Sequence, residues 1–475
     1  MTPSSLLIFR RDLRLDDNTA LLAARSRSRS IIPCFVFTDA QTVPHRFRSV
    51  NGLAFMLESL SELREQIARD GGWLHLFHGE PHEVVAALAE RGVIDGVYVN
   101  KDYTPYSRER DRQIAASCEA AGIGFHSFSD ALLVEPSVFA KPDRTPYTVF
   151  TPFYKRAVRE EVRRAVPFEA GCPWGRVPDG VLAEGVAAGQ FATTSPERYC
   201  ELVREVGGGA PQRRSLGGRR AAVATLARVP LFSDYATVRD LPALDKTSIL
   251  SPHNKFGTVS IREVYWTAAD SLGIEHPFIR ELFWRDFFTH IAWHFPHVFS
   301  GSFHRRFDRI PWEEDSEKVA RWSAGMTGYP IVDAGMRELQ ATGYMHNRVR
   351  MIVASFLTKD LHQSWRMGEA VFAQHLTEYD PAVNNGSWQW AASTGCDAQP
   401  YFRIFNPWLQ QRKFDNEAVY IKRWVPEFSG WSAAAIHRLE DQGASRPRGY
   451  PGLIVDHAEA KGYAVQLFRG LAEDS

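Results

Sequence analysis

The sequence offers little cysteine. Its five cysteines, Cys34, Cys118, Cys172, Cys200 and Cys396, are scattered and form no Cys-x-x-Cys pair. That spacing argues against a disulfide framework and against a zinc or iron–sulfur site, so no metal is expected; it suits a reducing, cytoplasmic compartment. Long apolar runs are missing too, since no window approaches the ~20 apolar residues a membrane span needs. The N-terminus carries only the short apolar stretch Leu6–Phe9 followed by charges, and reads as a first strand rather than a secretory signal. Net charge is absent, with 56 Lys plus Arg against 56 Asp plus Glu. A neutral total gives no hint of nucleic acid, yet it can hide a basic face, because phosphate contacts respond to the local field. No Gly-x-Gly-x-x-Gly follows a strand, which leaves a dinucleotide cradle of that type unsupported. There is no internal repeat and no low-complexity tail.

What is present is length, apolar content and aromatics, including 13 tryptophans. At 475 residues, with 44% hydrophobic and 24% charged, the chain exceeds one ordinary core and predicts two domains. Residues 1–130 alternate short apolar runs (6–9, 31–37, 73–77, 97–99 and a weaker one near Phe125–Phe128) with helix-length segments at 50–70, 81–91 and 107–121. Such alternation implies an α/β domain with a parallel sheet covered on both faces. Over 131–206 prolines recur from Pro136 to Pro178, and the GGGAP run at 207–211 closes what reads as an interdomain connection, part of it packed. Its basic cluster, Lys155, Arg156, Arg159, Arg163 and Arg164, is interrupted by Glu160 and Glu161 and reads as a solvated helical face. Beyond it, 207–475 should be nearly all helical, with helices at 217–228, 260–272, 278–294, 333–341, 346–359, 369–376 and 415–424.

Three helical faces carry unusual chemistry. Glu281, Trp284 and Arg285 stand at i, i+3 and i+4; Asn347, Arg350 and Met351 repeat that spacing; Asn384 and Trp388 are four apart. Carboxylates, amides and guanidinium groups on otherwise apolar faces each need a partner when buried. One such face alone fits a packed helix as well as a site. Three together point to the lining of a polar ligand.

The motifs FRRDLRLDDN (9–18), TSILS (247–251), ELFWRDFF (281–288), TGYPIVDAGMR (327–337), MHNRVRM (345–351), NNGSWQWAASTGCDAQPYFRIFNP (384–407) and KFD (413–415) resemble those of the cryptochrome/photolyase family. The likeness runs from residue 5 to about 460 and is strongest toward the class I cyclobutane pyrimidine dimer photolyases. It implies a Rossmann-like N-terminal antenna domain and a helical domain holding a folded FAD. Tyr235, Thr247, Ser248, Ile249, Leu250 and Ser251 match positions gripping the FAD phosphates and ribityl chain. Arg285, Asn347, Arg350, Glu378, Tyr379, Asp380 and Asn384 match positions around the rest of the cofactor, Glu378 standing where close relatives often have Asp. Asn384 matches the residue facing flavin N5, where an amide, a poor acid, leaves the reduced flavin anionic.

The resemblance also implies a partner and a cycle. A pyrimidine dimer in single- or double-stranded UV-damaged DNA must leave the stack to meet the flavin. Trp284 and Trp390 match its flat walls, Glu281 the acid at the pyrimidine edge, with Asn347 and Met351 beside it. Arg239, Arg348, Arg403 and Gln410 match DNA-facing positions, although lone arginines of this kind are as a rule plain surface charges. Trp388, Trp365 and Trp312 match a chain that carries electrons to photo-oxidised flavin; taken singly they read as core residues. Excited FADH⁻ is expected to lend an electron that splits the dimer and then returns. Asp102 stands where deazaflavin-binding relatives carry an acid, and Ser107 where a folate-binding relative has Glu. An 8-hydroxy-5-deazaflavin antenna is therefore favoured over methenyltetrahydrofolate, while a surface loop explains both residues equally. A cryptochrome sensor is the rival reading; it is disfavoured by Asn384, by the lack of paired histidines in MHNRVRM, and by the short end after Phe428. The protein is expected to act as a monomer.

Overall fold

The computed structural model describes residues 2–205, 210–441 and 445–473, so the GGGAP run lies partly outside the described residues. Five strands, β1 (Thr2–Phe9), β2 (Ser28–Phe37), β3 (His75–His78), β4 (Gly96–Asn100) and β5 (Gly124–Phe128), pair in parallel in the order β5-β4-β1-β2-β3. The near-continuous apolar runs of β1 and β2 follow from burial on both faces. Leu7 and Phe9 pack toward the Val50–Arg69 helix, whereas Leu6 and Ile8 pack toward the Pro81–Glu90 helix. The order in which strands are added reverses between β1 and β4, and such a switch point opens a crevice at the strands' carboxyl ends.

The 131–206 connection is packed over much of its length. It contains helices Phe150–Ala157, Asp179–Ala187 and Pro196–Glu205, and a two-residue strand, β6 (Ala192–Thr193), that adds antiparallel to β3. The basic cluster is only partly helical. Lys155 and Arg156 close the Phe150–Ala157 helix, but Arg163 and Arg164 lie past it, paired with Asp17 and Asp270, because those carboxylates sit within reach of the extended chain.

The second half is helical, as expected. The anticipated 415–424 helix begins only at Val419 (Val419–Trp424), and an unanticipated helix, Pro407–Phe414, precedes it. Asp415 breaks the run by accepting the Tyr420 and Ile421 N–H groups at 3.0 and 2.9 Å, and Ala418 turns through φ 52°. The Pro381–Ala392 helix begins at Asp380, whose side chain accepts from Ala382 and Val383 N–H at 3.0 and 3.2 Å, with proline at the first position. It therefore carries Asn384 and Trp388 on one face. Gly386 lets it press against the Pro277–His294 helix: a Cβ there would lie 2.1 Å from the Phe288 ring.

The two halves are joined by buried charge. Arg262 of the helical half donates to Asp17 and Asp130 carboxylates at 2.6 and 2.7 Å and to both residues' carbonyls, while Arg14 takes Asp130's other oxygen at 2.7 Å. All four residues are buried.

Candidate active site

The Pro277–His294 helix presents the first predicted face. Trp284 is pinned by Phe150, stacked at 3.6 Å between centroids and 7° between planes. Glu281 is half-buried and accepts from Arg239 at 2.7 Å; burial raises its carboxyl above the ordinary value while Arg239 opposes the rise. Arg348 forks onto Asp240 at 2.8 and 3.3 Å. Two of the predicted DNA-facing arginines thus already hold carboxylate partners, as partly buried guanidinium groups require. Arg403 is exposed and Gln410 half-buried, while Trp390 packs partly buried against the large helical core.

Arg285 donates to the Ala131 carbonyl, and its Nη1 is buried without a partner among the described residues. The next residue, Asp286, accepts Leu133 and Val134 N–H at 2.7 and 3.1 Å, and burial lifts its carboxyl to about 7. A raised acid pKa stabilises the fold below about pH 4 and loses that contribution as pH climbs toward 7. Asp286→Asn should therefore flatten part of the decline of melting temperature between pH 4 and 7; parallel curves for the two proteins would refute the assignment.

The second face starts at Asn347, the first residue of the Asn347–Ser355 helix capped by His346. Arg350 donates to the Met345 carbonyl at 2.7 Å and pairs with Glu378, whose other oxygen is buried and unpartnered among the described residues. Met351 lies half-buried beside them. On the third face, Asn384 is buried and its Nδ2 donates to the Glu369 carbonyl at 3.1 Å. A carbonyl can only accept, so the amide nitrogen must face it and Oδ1 points away as a free acceptor.

The TSILS segment is strained. Ile249, a β-branched residue, takes φ 54°, a conformation that persists only where surroundings enforce it and that clusters at ligand sites. Thr247 meets the Tyr344 hydroxyl at 3.1 Å, Ser248 accepts Leu250 N–H at 3.3 Å, Leu250 is buried, and Ser251 opens the helix Ser251–Phe256. Tyr235 packs edge-on against Phe278 at 5.7 Å.

A family model described as DNA photolyase matches residues 5–172, and one described as FAD binding domain of DNA photolyase matches 278–470. The deoxyribodipyrimidine photo-lyase of Synechococcus sp. is 37% identical, covering 96% of this chain and 94% of the relative; that of Halobacterium salinarum is also 37% identical, covering 97% of each. This chain belongs to the DNA photolyase family. Among solved structures, the archaeal photolyase from Sulfolobus tokodaii with two FAD molecules superposes with a TM-score of 0.86 at 39% identity, covering 98% of this chain and 100% of that one.

The photolyase residues here fit an FAD. Buried Glu378 Oε2, Arg285 Nη1 and Asn254 Oδ1 all want a polar partner, and the strained Ile249 sits at the same segment as the predicted phosphate grip. Of the three predicted electron carriers, Trp388 is fully buried against Phe372, and its helix meets the Trp365–His375 helix at Gly368, where a Cβ would lie 2.1 Å from the Trp388 ring. Trp365 starts that helix, buried; Trp312 is half-buried against Phe468 at the edge of the same core.

At the switch point of the photolyase sheet lies a cavity of about 540 Å³. Residues following β1 and β4 wall it, among them Arg10, Arg11, Asp102 and Ser107, and the helical half adds Lys255 and Tyr379. Tyr379 stacks on Phe47 and turns its ring to this cavity, apart from the Glu378 side chain. Asp102 accepts from Ser107 at 2.9 Å and from Arg11 at 3.0 Å. Sequence reasoning missed Arg11, Lys255 and Phe150. Arg11 lay inside a recognised motif, but nothing local revealed its partners.

Proposed function

We propose that this photolyase repairs cyclobutane pyrimidine dimers in UV-damaged DNA by blue light, as a deoxyribodipyrimidine photo-lyase. The observation that carries the reading is Asn384, whose buried amide nitrogen donates to the Glu369 carbonyl at 3.1 Å and so leaves Oδ1 as an acceptor. Bound FAD in its reduced form supplies the electron that splits the dimer and takes it back, so the reaction needs no net reductant and consumes no protein nucleophile. Asn384 Oδ1 accepts a hydrogen bond and offers no acid to the ring. Thr247, Ser248 and Ser251 hold phosphate and ribityl oxygens with Tyr235, Ile249 and Leu250 shaping the turn; Arg285, Asn347, Arg350, Glu378 and Asp380 surround the rings. Trp284 and Trp390 flank the extruded dimer, and Glu281 bonds its edge beside Asn347 and Met351. Arg239, Arg348, Arg403 and Gln410 meet the DNA strand, the first two exchanging carboxylate for phosphate as it docks. The switch-point cavity holds an antenna pigment. Asp102 favours 8-hydroxy-5-deazaflavin over methenyltetrahydrofolate, and likeness to the two-FAD Sulfolobus protein adds a second flavin to the choices.

The test is thymine-dimer loss from an oligonucleotide in blue light and in darkness. Light-dependent loss is expected; a yellow protein that repairs nothing in light would overturn the reading. Trp388→Phe should slow photoreduction of the oxidised protein several-fold yet spare repair by chemically reduced protein. Equal photoreduction of variant and parent would remove Trp388 from the electron path.

A further inference from the structure

Between the 540 Å³ cavity and the flavin-side residues stands a wall one guanidinium thick. Arg11 and Asp102 line the large cavity; on their other side they also line a narrow gap with Arg285, Asp380 and Ala382. Arg11 spends its three nitrogens on three partners. Nη1 donates to Asp102 at 3.0 Å, Nε to the Lys255 carbonyl at 3.1 Å, and Nη2 to Asp380. Asp380's second oxygen caps the Pro381–Ala392 helix, which carries Asn384, Trp388 and Trp390. One arginine therefore ties a wall of the cavity to the helix that faces the flavin.

We propose that Arg11 is a positioning residue that couples the occupant of the antenna cavity to the flavin site, by fixing the Asp380 cap from the Asp102 side. The coupling rests on the antenna reading given above; the positioning of Asp380 does not.

The electrostatics are consistent with a bridge under load. Despite burial, neighbouring cations hold Asp380 down at about 2 and Asp102 well below the carboxylate range, so both are charged. Cations crowd them: Lys255 is depressed to about 8, first by burial and then by Arg11 and Arg285, while Arg110, itself paired with Asp111 at 3.2 Å, faces Asp102 from the cavity lining. An anionic occupant held by Lys255 and Arg110 would relieve this repulsion and leave Arg11 to the Asp102–Asp380 bridge. The ligand class that exerts the coupling is accordingly an anionic pigment.

The experiment compares Arg11→Gln, Arg11→Lys and Asp102→Asn in the full holoprotein. FAD release is followed by the rise of free-flavin fluorescence, together with visible circular dichroism of the bound flavin and the melting temperature. Arg11→Gln should weaken FAD retention about tenfold, roughly the loss of one charged hydrogen bond. Arg11→Lys should restore part of it, since a lysine keeps the charge but cannot hold three divergent partners at once. Adding FMN as an anionic probe should slow FAD release from the wild type, and Asp102→Asn should abolish that effect. Unchanged FAD retention in Arg11→Gln overturns the proposal. So does a fall in melting temperature with no rescue by lysine, which marks a merely structural residue. FMN that binds without altering FAD release overturns the coupling. FMN that fails to bind the wild type overturns the antenna reading and the coupling with it, while the Arg11 comparison still decides the positioning of Asp380.

Discussion

Arg262→Ala should destabilise the protein by about 3–5 kcal/mol, the range seen when one partner of a buried ion pair is removed. The guanidinium bonds the carboxylates of both Asp17 and Asp130, which are 1% and 2% exposed, whereas Arg14 reaches the Asp130 carboxylate and only the carbonyl of Asp17. Without it Arg14 still serves Asp130 and the Asp17 carbonyl, Arg163 and Ser260 still serve the Asp17 carboxylate and Thr19 the Asp130 carboxylate, but the Asp130 carbonyl loses Arg262 and each buried carboxylate loses one charged donor. Denaturant unfolding would measure the loss. Its pH dependence supplies a second check. Both aspartates have folded pKa values held below the ordinary 3.8, chiefly by arginine against the pull of burial. Their contribution is present above about pH 4 and disappears as they protonate on acidification. The gap between parent and variant should therefore narrow as pH falls below about 4. A loss under about 1 kcal/mol at neutral pH would mean that water replaces the guanidinium and that the junction is softer than the geometry implies.

Asn384→Asp should lower repair at least about tenfold at neutral pH while leaving FAD bound. The Glu369 carbonyl at 3.1 Å accepts from the amide nitrogen, a role an ionised Asp cannot fill. Two buried acceptors would then face each other, at about 1–3 kcal/mol, unless the new carboxyl stays protonated. Burial at 7% exposure favours protonation, and a protonated acid beside the flavin can give its proton away. The ionised state removes the donor to Glu369, and the protonated state keeps a donor and an acceptor but adds an acid that the amide lacks. Quantum yield of dimer splitting, measured on the fully reduced variant, is the readout. Full activity would show that the orientation of the amide is irrelevant to repair.

Much of this was legible in the sequence, and the exceptions have physical reasons. Strands buried on both faces write themselves as apolar runs, so β1 and β2 were visible without help. The Glu281, Asn347 and Asn384 faces were visible because polar groups at helical spacing are poor core material. A two-residue strand such as β6 leaves no periodicity to read. Nor does Ile249 announce its positive φ, since a β-branched side chain predicts the opposite. Asp415 looks neutral within a helical run until its carboxylate is seen capping Tyr420 and Ile421. Arg11 is the clearest case of all: its partners lie 91 and 369 residues away, and only the fold brings them together.

The small strand β6 also bears on how the chain divides. Parallel sheets end in unpaired backbone groups, and such an edge recruits other chains into aggregates. Here the β3 edge is blunted by Ala192 and Thr193, pairing with Phe77 and His78, from the segment that connects the two halves. A fragment stopped at residue 130 would keep every parallel strand and lose this guard. One carried through Thr193 would keep it. Solubility of the N-terminal half in isolation should thus turn on two residues that contribute nothing to its crossover topology.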